Sequence, residues 1–146
     1  MRSVRRATTL SIAIAAALSV PLGVTTSALG SGIDQAGSAV GDTARLDQAG
    51  TSVHLVGVVH CVGCRAFTLG ATVSQRSTGA VGQGGVRCVC RGTAERWLVT
   101  ARAREATAFR PGAARVCVWV IARGPTGKPI DAQQWCERVA LTRAEA

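Results

Sequence analysis

Six cysteines, Cys61, Cys64, Cys88, Cys90, Cys117 and Cys136, all lie beyond residue 60 of a 146-residue chain that opens on a basic and then apolar stretch. An even cysteine count behind an export signal points to a disulfide framework rather than to cytosolic thiol chemistry. Residues 1–30 carry that signal: Arg2, Arg5 and Arg6 start it, residues 10–20 form a short apolar core, and Pro21 and Gly23 break it. Cleavage fits after Ala28 or after Gly30. An uncleaved membrane anchor is the alternative, since residues 7–24 could barely span a bilayer, but the run carries Thr, Ser and Pro, so cleavage is favoured and membrane contact is expected only through the signal before it. The expected location is secreted, outside the cell.

With the signal removed, the chain keeps fourteen basic and eight acidic residues, a net charge of +6, and thirteen of the fourteen are arginine. A basic surface can serve nucleic acid or an anionic polymer. The arginines are scattered singly, tyrosine is absent, and phenylalanine and tryptophan total five. Such a chain has little material for the stacking platforms that single-strand binders use, so no specific nucleic acid is expected.

Residues 31–50 are rich in Gly, Ala and polar side chains and read as a flexible leader. Within them Ile33-Asp34-Gln35-Ala36-Gly37 recurs as Leu46-Asp47-Gln48-Ala49-Gly50. The domain proper is expected over 51–146. There the hydrophobic period becomes two. Phe67, Leu69, Ala71 and Val73 alternate with Thr68, Gly70, Thr72 and Ser74, and Trp97, Val99 and Ala101 alternate with Arg96, Thr100 and Arg102. This is the pattern of half-buried antiparallel strands. Residues 114–123 are apolar on both faces, which predicts a central strand covered on both sides. Residues 53–62, 86–91 and 133–142 complete about six strands. The breaks are turn chemistry at 77–85, 109–112 and 124–129. Short strands with Gly/Pro turns predict an all-β, antiparallel, immunoglobulin-like β-sandwich of six to seven strands, stabilised by disulfides.

Strand geometry prunes the cysteine pairings. Cys88 and Cys90 leave one face of a strand, so each needs its own partner. The midpoint of Cys117 and Cys136 falls between Thr126 and Gly127, in the centre of the Pro-Gly turn. A symmetric hairpin there sets the two cysteines opposite each other, at a distance suited to a bridge. The remaining four pair best in nested fashion, Cys61–Cys90 with Cys64–Cys88, provided that their segments are antiparallel neighbours. Gly63 marks a bulge between Cys61 and Cys64. Two alternatives compete. Cys61, Cys64, Cys88 and Cys90 could supply four thiolates to zinc beside His60, although such thiols outside the cell usually oxidise first. Cys61–Cys64 could also be a redox pair, but it lacks the helix start that lowers a thiol pKa.

Catalytic patterns such as GxSxG, HExxH, a P-loop or GxGxxG do not occur. His54 and His60 share a strand face about 20 Å apart, too far for one small site. Asp131, Glu95, Glu105 and Glu137 show no paired spacing, and Trp97, Trp119 and Trp135 are expected in the core.

Cys90-Arg91-Gly92, then Trp97-Leu98-Val99-Thr100, then Phe109-Arg110-Pro111-Gly112-Ala113-Ala114 resembles a C-x-G, W-x-V-x, F-x-P-G-x-A pattern. The family it resembles is the small secreted immunoglobulin-like domains of unknown function from actinobacteria, and the likeness covers residues 53–141. The resemblance implies a β-sandwich whose first-strand cysteine, Cys61, is bridged to Cys90, with no catalytic residues to carry over. Cys64, Cys88, Cys117 and Cys136 are additions to that pattern.

The expected role is therefore non-enzymatic, without a cofactor or a bound metal. It would be recognition or cell-envelope structure, through loops or a basic sheet face formed by Arg96, Arg102 and Arg104, with an extracellular protein or an anionic cell-envelope polymer as partner. The alternatives are a secreted protease inhibitor, presenting residues 105–112, and the zinc module.

Overall fold

The computed structural model describes residues 32–92 and 94–143. The expected export signal, over residues 1–30, lies outside them. Eight strands account for every regular element among the described residues: β1 (Gly32–Val40), β2 (Thr43–Leu46), β3 (Ser52–Val62), β4 (Ala66–Gln75), β5 (Ala80–Val89), β6 (Ala94–Ala103), β7 (Gly112–Arg123) and β8 (Pro129–Arg143).

The strands do not form an immunoglobulin-like sandwich. They form a closed seven-stranded barrel with an added strand. Around the wall, β3 pairs with β6, β6 with β5, β5 with β4, β4 with β7, β7 with β8, β8 with β2, and β2 returns to β3. All contacts are antiparallel except β2 with β8, where Thr43 to Leu46 run parallel to Ala140 to Arg143. Closure removes the two exposed edges that each sheet of a sandwich would carry. Beyond β2, the rest of the same β3 edge is taken by β1, from Gly32 opposite Val62 to Val40 opposite Gly57.

Residues 31–50 therefore hold β1 and β2, not a flexible leader. Ala44 and Leu46 point into the barrel while Thr43 and Arg45 point out. Small inward side chains suffice because a seven-stranded lumen is narrow. Ala71, Ala80, Ala101, Ala114 and Ala122 line it with Phe67, Leu55, Leu69, Leu141 and a set of valines, all buried. The glycine-rich segment 77–85, expected as a turn, is mostly strand. The β4–β5 turn occupies only the positions around Gly79 (φ +75°), and Gly82 to Gly85 pair with Val73 to Gly70. Gly84 lies against the Thr100 carbonyl of β6, an approach that a side chain would block.

The central strand expected over 114–123 is β7, which pairs with β4 and β8, but a closed barrel has no central strand and only the inner face of β7 is covered. Val116, Val118 and Val120 are buried, whereas Trp119 on the outer face is 43% exposed. It rests over Gly70, its cross-strand partner on β4. Trp97 is buried in the lumen over Gly57, and Trp135 packs half-buried against the core.

The wall is bound unevenly. β5 and β6 share a ladder only at Gly82 with Ala103 and Gln83 with Arg102. β1 also meets β8, through side chains. Asp131 Oδ2 accepts from the Ile33 N–H at 2.8 Å, and Glu137 Oε2 accepts from the Val40 N–H at 2.5 Å. These two carboxylates do for β1 what a partner backbone does elsewhere.

Candidate functional site: three sulfurs at one end of the barrel

Both irregular seams open toward the same end of the barrel, where β3 and β5 finish and β4, β6 and β8 begin. Cys61, the last inward residue of β3, is 1% exposed. Gly63 takes a left-handed φ of +64°, which only a residue without a Cβ adopts cheaply, and turns the chain so that Cys64 also faces the core. On the opposite side, Cys88 faces inward from β5, opposite Phe67 on β4. Cys90 follows β5 and is held by its own N–H, which donates to the Arg65 carbonyl at 2.9 Å. The next turn is fixed by Glu95, whose Oε1 accepts from the N–H groups of Arg91 and Gly92 at 2.6 and 3.2 Å.

Cys61 and Cys90 are bridged, with their Cα atoms 6.3 Å apart. Cys64 and Cys88 are free thiols. The nested scheme therefore holds for one pair and fails for the other. Its premise, that the two cysteine segments are neighbours in one sheet, does not hold, because β6 lies between β3 and β5. Cys64 Sγ lies 3.3 Å from Cys90 Sγ, and the sulfurs of Cys61, Cys64 and Cys90 all lie within 4.8 Å of one another. The Cys64 S–H also faces the Gly32 carbonyl at 3.8 Å. Burial pushes the Cys64 thiol pKa up, and the charge of Asp131 adds to this. Burial, then Glu95, does the same for Cys88. Although Arg65, Arg87 and Arg123 line a depression with Cys88, both shifts run upward, away from the lowered pKa that makes a cysteine a ready nucleophile at neutral pH.

Cys117 and Cys136 are directly opposed across β7 and β8 and are bridged, with Cα atoms 4.0 Å apart. This disulfide lies on the outer wall, away from the sulfur cluster.

The expected basic face is only partly assembled. Arg96 and Arg102 both project outward from β6, six residues apart, with exposed Leu98 between them. Arg104 lies beyond the strand in a separate depression with Gly79, Val81, Glu105 and Thr107. A tighter group forms elsewhere. Arg115 on β7 stands directly opposite Arg138 on β8, Ser74 on β4 flanks them, and Arg76 completes a groove along this wall. None of these arginines is ion-paired with a carboxylate among the described residues. The sequence carried the signal, since the hairpin register that aligns Cys117 with Cys136 also aligns Arg115 with Arg138.

His54 and His60 face outward from β3 and do not meet. His54 Nδ1 contacts Thr100 Oγ1 at 3.1 Å, and His60 Nδ1 lies 3.2 Å from Asp34 Oδ2.

No known family model matches the chain, and no curated protein matches it.

Proposed function

We propose that this chain is an exported, disulfide-stabilised β-barrel without a catalytic role, which recognises an anionic cell-envelope polymer through its arginine-bearing outer wall. The observation that carries the reading is the Arg115–Arg138 pair. Like charges placed directly opposite on adjacent strands repel and cost stability. With Arg76 beside them, and Glu137 the one carboxylate among the lining residues and itself engaged by the Val40 N–H, they form a groove whose net positive charge is complemented by a chain of phosphate or carboxylate groups. The two disulfides support a location outside the reducing cytosol.

The zinc reading fits less well. It needs four thiolates, whereas three sulfurs gather and two of those are bonded to each other. The inhibitor reading gains rigidity from Gln75, which holds the backbone of Arg110. Pro111 follows, however, so the bond after Arg110 lacks the N–H that a substrate-like loop presents.

Binding to polyphosphate and to heparin, measured over a range of salt concentrations, tests the proposal. Affinity should fall steeply with salt. Replacing Arg115 and Arg138 together by Gln should weaken it by roughly tenfold or more, the loss expected for charge-assisted hydrogen bonds. Salt-independent binding, or none, would remove the reading.

A further inference from the structure

We propose that Cys64 is the exchange thiol of a three-sulfur centre, in which one disulfide is shared between two isomers, Cys61–Cys90 and Cys64–Cys90. The inference is independent of the polyanion reading and rests on geometry. A free thiol lies 3.3 Å from one sulfur of an existing disulfide, and all three sulfurs fit within 4.8 Å.

The step balances without an outside oxidant or reductant. Cys64 gives its proton to solvent, and its thiolate forms a bond to Cys90 Sγ. The Cys61–Cys90 bond breaks as this happens, and its electron pair leaves on Cys61 Sγ, which takes up a proton. One S–S bond forms and one is lost.

The chain geometry favours this traffic over exchange with Cys88. Cys64 is carried by the Gly63 turn, not by a strand ladder, so a small swing of the turn changes its reach. Cys88 is fixed in the β4–β5 ladder opposite Phe67 and lies outside the three-sulfur group. Exchange also moves the free thiol from half-buried Cys64 to Cys61, which is 1% exposed. One isomer offers a thiol to passing reagents, and the other hides it. Burial and the Asp131 charge hold the Cys64 thiol protonated at neutral pH, so exchange is slow there and quickens in alkali.

Disulfide mapping by peptide mass alone is blind to the difference. Tryptic peptide 46–65 contains both Cys61 and Cys64, and peptide 88–91 contains both Cys88 and Cys90. The test therefore locates the free thiols. The protein is held in mildly alkaline buffer, quenched in acid, denatured and alkylated in weak acid, and the labelled cysteines are identified by fragmentation of each peptide. In the wild type, label is expected on Cys88 and divided between Cys64 and Cys61. The Cys61 label should vanish in Cys64→Ser, and Cys61→Ser should carry a Cys64–Cys90 bridge with label on Cys88 alone. Wild-type label confined to Cys64 and Cys88 overturns the proposal, as does a wild type with no free thiol. Label on Cys90 in a folded Cys61→Ser variant overturns it too. If Cys61→Ser does not fold, the wild-type division between Cys61 and Cys64 decides.

Discussion

Gln75 and Arg110 are joined by two hydrogen bonds: the buried Gln75 amide nitrogen donates to the Arg110 carbonyl at 2.7 Å, and its oxygen accepts from the Arg110 N–H at 2.9 Å. One side chain thereby satisfies both backbone groups of a residue outside any strand, in the connection that carries Phe109 into the core. Gln75→Leu keeps the volume but leaves both groups without partners, at a cost of about 2–3 kcal/mol. Urea unfolding checks this, and an unchanged midpoint would show that water replaces the amide freely.

Two glycine–tryptophan pairs, one inside the barrel and one outside, should respond differently to the same substitution. A Cβ at Gly57 would strike both the Trp97 ring and the Ala39 carbonyl, and neither has room to move. At Gly70 the three nearest atoms all belong to the Trp119 indole, which can swing into solvent. Gly57→Ala is expected to cost about 1–3 kcal/mol, the usual penalty of overpacking. Gly70→Ala should leave stability nearly unchanged and shift tryptophan emission to the red. Equal losses from both would contradict the assignment of inner and outer faces.

Asp131 and Glu137 should hold β1 specifically. Removing either carboxylate orphans a backbone N–H, at about 1–3 kcal/mol each. Hydrogen exchange is the informative readout, because local opening precedes global unfolding. In Glu137→Ala, amides of β1 should exchange faster while those of β4 and β7 keep their protection. Uniform acceleration across the barrel would show that β1 is not a separate unit.

The turn after β2 predicts an acid response. Asp47 accepts from the Thr51 hydroxyl at 2.6 Å, the Thr51 N–H at 2.7 Å and the Ser52 hydroxyl at 3.0 Å. With the Thr51 hydroxyl foremost, these bonds lower its pKa from 3.8 to about 2. A carboxyl depressed in the folded state stabilises fully above its unfolded pKa and loses that contribution as pH falls through the folded value. The window is therefore pH 3.8 down to about 2. Asp47→Asn should lower the midpoint of thermal unfolding at neutral pH, and the gap to wild type should narrow across that window. A gap independent of pH would remove the carboxylate from the argument.

The all-β character and six of the eight strands were legible because alternation is a local signal, strong wherever large apolar residues occupy every second place, as at Phe67, Leu69 and Val73. Barrel closure was not legible. It depends on β2, whose inward residues are only Ala44 and Leu46, and on a pairing of Thr43 with Ala140 across nearly the whole described chain. The repeated pentapeptide shows the limit of local reading. Its first copy lies in β1, whereas its second ends β2 and makes a turn, with Gly50 at φ +71°. Tertiary pairing, not composition, decides between them.

At the candidate site, the Cys117–Cys136 opposition was readable because a single turn sets its register. Of the sulfur cluster, the Cys61–Cys90 bridge was expected, but the approach of Cys64 to it was not, since the three sulfurs meet only with β6 laid between β3 and β5. The Arg115–Arg138 pair was equally readable from the hairpin, but the cysteines drew the attention of the register and the arginines did not.

The parallel contact between β2 and β8 also governs how the molecule comes into being. A polypeptide emerging from its N-terminal side displays the open flank of a growing sheet throughout, because the stave that seals it is the last of the eight to arrive. Contacts this distant in sequence make for slow folding. During that interval the unsealed flank is a surface on which other chains can add strands, so the hazard for this protein is greatest before it is finished.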